Sequence, residues 1–195
     1  MADRFPLRAL CLLLCLLGWP LSGAAATPQR IISLTPHLTE LLYDIGAGDR
    51  IVATDDASDF PPEVAPLPRV ANYRSINLEA LLAQKPDLVV AWRSAQSRML
   101  APVEKLGIPV FYSEPTDFAS LADEMRSLGR LLGTRQKADQ QADAYLARLN
   151  ALKQRYGKPK PVSVFYQLWY PPLTSVNDST WPGHAIRLCG GRNIM

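Results

Sequence analysis

The chain has 195 residues, with 21 Lys and Arg against 18 Asp and Glu, a net charge of +3 and 48% hydrophobic residues. That near balance leaves no basic block of the kind nucleic acid requires, so no nucleic-acid partner is expected. The apolar fraction suits a packed core, and the length bounds the chain to one domain or two small ones.

In chain order, the first element is an export signal. "MADRFPLR" is a weakly basic lead, "ALCLLLCLLGWPL" is an apolar core, and "SGAAA" places small residues before a cleavage point after Ala26. The apolar run is shorter than the roughly 20 residues a membrane helix needs. A lipid-anchored reading through Cys15 lacks the small residues that such a site requires before it. Residues 1–26 are therefore expected to be a cleavable signal peptide, and the mature protein to be periplasmic. Cys11 and Cys15 leave with it, so only Cys189 remains in an oxidising compartment. A lone exported cysteine signals a missing partner, an intermolecular bridge, a free thiol or a small buried hydrophobe.

The mature chain alternates strand and helix. "RIISL" is a strand, Thr35 an N-cap, Pro36 the first residue of the helix "HLTELLYDI", and Gly46 its end. "RIVAT" and "RVA" are strands on either side of a polar loop; Asn77 caps "LEALLAQ", and "DLVVA" is a strand that stops at Trp92-Arg93. "MLAPVEKL" is a helix and "IPVFYS" a strand. Continuous apolar strands separated by helices predict a parallel sheet covered on both faces. Phe118 to Leu132 then carries apolar residues at helical spacing. A longer helix from Thr134 to about Tyr156 has Ala138, Ala142, Leu146, Leu149 and Leu152 on one stripe, and "VSVFYQL" is a further strand. The expected organisation is a first α/β lobe over 27–133, a linking helix over 134–157, and the start of a second α/β lobe over 158–195. The 38 residues after 157 are too few to bury a core alone, so the second lobe is expected to be incomplete.

In open α/β sheets, ligands bind outside the carboxyl ends of the strands. Those ends are Thr35-Pro36-His37, Asp55-Asp56, Asn72-Tyr73, Trp92-Arg93, Ser113-Glu114 and Leu168-Trp169-Tyr170. Three of them carry large aromatics beside polar groups, which suits a bulky ligand that is part planar and part polar. Phosphate-loop, dinucleotide-binding, serine-hydrolase and zinc-protease motifs are all absent. The two histidines, His37 and His184, do not make a multi-histidine metal site. Asp55, Asp56 and Asp59 read as a solvated turn before a metal cluster. No catalysis, cofactor or metal is expected.

"RIISLTPHLTELLYDIGAGDRIVATDDASDFPPE", "INLEALLAQKPDLVVAW" and "LCGGRNI" together resemble the periplasmic substrate-binding proteins of ABC importers. The likeness is to the class with two lobes on one helical backbone, and within it to the cobalamin-binding members. It implies a monomer that captures a corrinoid between its lobes and hands it to an inner-membrane ABC permease. Trp92 matches a tryptophan lining the corrinoid site, and Tyr73 matches another aromatic there. The loop "QLWYPPLTS" aligns with one that contributes phenylalanines, where this chain has Leu168, Trp169 and Leu173; Ala57 stands where a tyrosine meets the ligand. With Pro36, His37 and Arg93 added from the strand ends, the expected ligand set is Pro36, His37, Tyr73, Trp92, Arg93 and Trp169. Haem, with Tyr73 or His37 as axial ligand, or a ferric siderophore held by Arg74 and Arg93, is the alternative within the class. An exported α/β enzyme whose catalytic residues lie elsewhere is the alternative outside it. The resemblance also implies that Glu79 docks onto arginines of the permease. Arg192 occupies the matching second-lobe position, where relatives carry a glutamate, and Cys189 matches a half-disulfide whose partner lies further along.

Overall fold

The computed structural model describes residues 26–157 and 160–195, so the expected signal peptide falls almost wholly outside it. Strands β1 (Ile31–Ser33), β2 (Ile51–Asp55), β3 (Arg69–Ala71), β4 (Leu88–Trp92) and β5 (Val110–Ser113) form one parallel sheet in the order β3-β2-β1-β4-β5. Helices α1 (Pro36–Asp44), α2 (Leu78–Ala83), α3 (Arg93–Lys105) and α4 (Phe118–Leu131) cover it. Alternate residues of each strand go to opposite faces, and here both faces are apolar. Ile31, Leu88 and Val90 pack with Leu38 and Leu42 of α1 and with Met125 and Leu128 of α4. Ile32, Val89 and Ala91 pack with Leu81 of α2 and with Leu100 and Val103 of α3. Each fully buried leucine in these layers contributes roughly 1.5–3 kcal/mol.

Helix α5 (Arg135–Tyr156) runs for 22 residues, about 33 Å at 1.5 Å per residue. Its first turns bury Ala138 and Ala142 against the first lobe. A Cβ on Gly129 of α4 would lie 2.2 Å from the Cβ of Ala138, so only glycine permits that helix approach. The expected apolar stripe is buried only at this end; Leu152 and Tyr156 are exposed. The helix leaves the first lobe as it proceeds, and leads to strand β6 (Val162–Val164), helix α6 (Trp181–Leu188) and strand β7 (Gly191–Asn193). Strands β6 and β7 pair in parallel, so the second lobe begins as a strand–helix–strand unit. The fold is thus α/β, with two lobes of parallel strands joined by one long helix.

Two element boundaries differ from the sequence reading by more than two residues. Helix α3 begins at Arg93, directly after β4, rather than near Met99. Its first turns are polar, which hides them from a periodicity argument, but Gln96 and Glu114 satisfy backbone N–H groups at its start. Strand β6 ends at Val164 instead of Leu168, and beyond it only an isolated bridge joins Trp169 to Thr174. Capping is mixed. Asn77 accepts from the Ala80 N–H as expected, whereas Thr35 occupies its capping position without a side-chain bond.

Candidate functional site

Connections from β1 to β3 move one way across the sheet, and β4 then returns to the other side of β1. The carboxyl ends of β1 and β4 therefore flank the topological switch point, where helices α1 and α3 diverge to opposite faces and open a crevice. Gln96 holds this point together. Its amide donates to the Leu34 carbonyl at 2.7 Å and accepts from the Trp92 N–H at 2.9 Å, while the side chain stays buried. One residue of α3 thereby fixes the ends of both strands.

Two cavities meet at Pro36 and Trp92. The larger, about 770 Å³, extends along α1 and α5 past His37 and Tyr145 to Trp181 of the second lobe. The other, about 670 Å³, lies over β1 to β3 and reaches Asp56, Ala57, Tyr73 and Arg74. Trp92 stands between them with 41% of its surface uncovered. It forms a wall of both.

The other predicted residues divide. Tyr73 sits at the tip of a turn made by Asn72, whose side-chain oxygen accepts from the N–H groups of Arg74 and Ser75 at 2.9 and 3.0 Å. Arg74 lies over the Tyr73 ring, 5.0 Å from its centroid. His37 meets Trp92 edge-on, centroids 6.2 Å apart, with Nε2 3.4 Å from the Ser113 hydroxyl. Ser113 spends its own proton on Glu124 at 2.6 Å, so its oxygen is left to accept from His37. His37 is exposed at the mouth of the crevice, and the crevice walls crowd part of its ring. That crowding pushes the His37 pKa below its ordinary value, with the Asp55 carboxylate opposing. Pro36, His37, Tyr73 and Trp92 are thus brought together. Arg93 lines neither cavity; its guanidinium stacks 4.7 Å from the Tyr112 ring centroid. Trp169 lines neither as well, and is exposed on its loop.

The acidic turn is a turn: Asp56 and Asp59 are exposed on it as expected, and only Asp55 is buried. Asp55 accepts from the Ser58 hydroxyl and from the Ala57 N–H, and Ser58, Thr39 and Ser33 continue a chain of buried hydroxyls beneath the crevice. Its carboxylate is used structurally, and among the described residues no group of three or more His, Cys, Asp or Glu is placed to hold a metal. Glu79 lies exposed in the first turn of α2. Arg192 is exposed on β7 and donates to the Ser163 hydroxyl at 3.1 Å. Cys189 is a free, exposed thiol at the end of α6. Sequence reasoning missed Gln96 and Trp181: each is one residue in a polar or mixed run, and nothing local marks it.

Two lobes of parallel strands on one long helix, with cavities open at the strand ends, are the architecture of a binding protein. Residues 31–195 match the family model described as periplasmic binding protein, and the chain belongs to that family. Binding proteins of this family take small-molecule ligands and work with ABC permeases; they are not enzymes. More particularly, the chain is similar to the vitamin B12-binding protein of Vibrio campbellii, 36% identical over 190 residues that cover 97% of this chain and 69% of that one. With the protein of the same name from Yersinia pseudotuberculosis the identity is 38%, over 97% of this chain and 67% of that protein. The crystal structure of the periplasmic vitamin B12 binding protein BtuF of Vibrio cholerae superposes with a TM-score of 0.78 at 37% identity, covering 86% of this chain and 66% of that one. The periplasmic heme binding protein HutB of the same organism gives 0.75 at 25% identity, covering 85% and 65%. The chain spans about two thirds of the length of these relatives.

Proposed function

We propose that the protein is a periplasmic receptor that captures a corrinoid between its lobes and delivers it to an inner-membrane ABC permease. The observation that carries this reading is Trp92, held at the switch point through its own N–H and forming a wall of both cavities. A corrinoid is broad, conjugated and fringed with amides, and such a ligand matches aromatic walls with scattered polar groups. Support also comes from relatives named for vitamin B12 at 36–38% identity. Pro36, His37 and Tyr73 complete the first-lobe contacts in this reading, with Trp169 added from the second lobe and Arg93 at the margin. Residues 1–26 serve as its export signal, residues 27–133 as its first lobe and 134–157 as the link to the second. The receptor acts as a monomer.

Haem is the second reading, favoured by the structural likeness to a heme-binding protein. Its axial ligand would be Tyr73 or His37. Against it, Tyr73 stacks with the Arg74 cation and His37 directs Nε2 to Ser113, so neither is poised for iron. Glu79 and Arg192 are the docking residues toward the permease. Because like charges juxtaposed at an interface cost several kcal/mol, the cognate permease meets Glu79 with a basic patch and Arg192 with a neutral or acidic one. Calorimetric titration of the purified protein with cyanocobalamin, haemin and a ferric siderophore tests the ligand. Saturable 1:1 binding of cyanocobalamin is expected, and binding of haemin alone would overturn the reading.

A further inference from the structure

Trp181 is the first residue of α6 and lines the same 770 Å³ cavity as Trp92. It is the second-lobe residue there, so side chains from both lobes close that space. Its placement is built from the turn before it. Thr180 donates its hydroxyl to the Asn177 carbonyl at 2.8 Å and accepts from the Gly183 N–H at 3.3 Å, capping the helix. Gly183 is buried where a Cβ would come within 2.5 Å of the Asn177 carbonyl oxygen, so the helix start lies directly on that turn. Arg187 fastens the far side, donating to the Asp178 carbonyl at 2.7 Å and pairing with its carboxylate at 3.2 Å.

The indole is held as firmly as the helix. One flank packs against Phe118 of α4, centroids 5.3 Å apart and planes at 63°, and another against His184 at 6.3 Å and 68°. Arg187 approaches His184 Nδ1 at 2.6 Å. A guanidinium only donates, so Nδ1 accepts. Such edge-on packing fixes an aromatic ring at a defined angle. Even so, 37% of Trp181 stays uncovered.

We propose that Trp181 is a ligand-contacting residue, a second aromatic wall from the second lobe that complements Trp92 from the first. The ligand class it fits is a flat, conjugated molecule with an apolar face large enough to touch both lobes; this rests on the corrinoid reading above.

The test uses the full-length gene product and cyanocobalamin as probe. Covering the free third of an indole corresponds to roughly ten- to fiftyfold in affinity. Trp181→Ala is expected to weaken binding by that factor, while Trp181→Phe keeps a ring in place and stays within about threefold of the unaltered protein. Phe118→Leu removes the fastening without touching the cavity wall, and should lower the thermal midpoint more than the affinity. Unchanged affinity in a folded Trp181→Ala variant overturns the assignment. So does a Phe118→Leu variant that loses as much affinity as Trp181→Ala, since the tryptophan would then only tie the lobes together. No binding of cyanocobalamin by the unaltered protein overturns the corrinoid reading itself, and with it the ligand assigned to Trp181.

Discussion

Replacing Trp92 with alanine separates a ligand wall from a sheet-edge cover. The side chain is 41% uncovered, which for an indole burying up to about 250 Å² leaves about 100 Å² for a ligand to cover. At about 25 cal/mol per Å² that area is worth up to about 2.5 kcal/mol, and at 1.4 kcal/mol per decade the expected loss of affinity is about one to two decades. The fold should survive. The Trp92 N–H that bonds to Gln96 belongs to the backbone and persists in the variant, and the strand core from Leu88 to Ala91 is untouched. Cyanocobalamin titration gives the affinity, and circular dichroism melting in parallel checks the fold. A folded Trp92→Ala protein that binds within about twofold of the unaltered one, a change of only about 0.4 kcal/mol, would refute the reasoning. Trp92 would then merely close the end of β4.

Gln96→Leu leaves the Leu34 carbonyl and the Trp92 N–H unpaired, at about 1–3 kcal/mol each. At a few degrees per kcal/mol for a chain of this size, the thermal midpoint should fall by about 5 °C or more; a fall under about 2 °C would show that the strand ends do not depend on it. Glu79→Arg should depress uptake in cells while ligand affinity stays unchanged, and normal uptake at normal receptor levels would return Glu79 to its favourable place at a helix N-terminus. Residues 27–195, denatured without reductant, should label at one thiol, Cys189; no labelling would reveal a partner for it.

Much of this protein is legible in the order of its residues. The apolar runs 31–34, 51–54 and 88–91 are too continuous for half-exposed strands, and their alternation with helices already specifies a parallel sheet covered on both sides. Once the sheet is parallel, its carboxyl ends follow directly, and with them Pro36, His37, Tyr73 and Trp92. What tertiary structure alone decided is where the side chains at those ends turn. Arg93 follows Trp92 by one position, yet the start of α3 carries it onto Tyr112. Gln96 bonds to a carbonyl 62 residues earlier, and Trp181 meets Phe118 across two lobes. Asp55 looked solvated, but Ser58 and Ala57 draw it under the crevice. Periodicity reports which face of its own element a residue occupies, because that depends on backbone geometry a few residues long. Which partner waits opposite that face depends on how separate elements pack, and no local pattern in the chain encodes it.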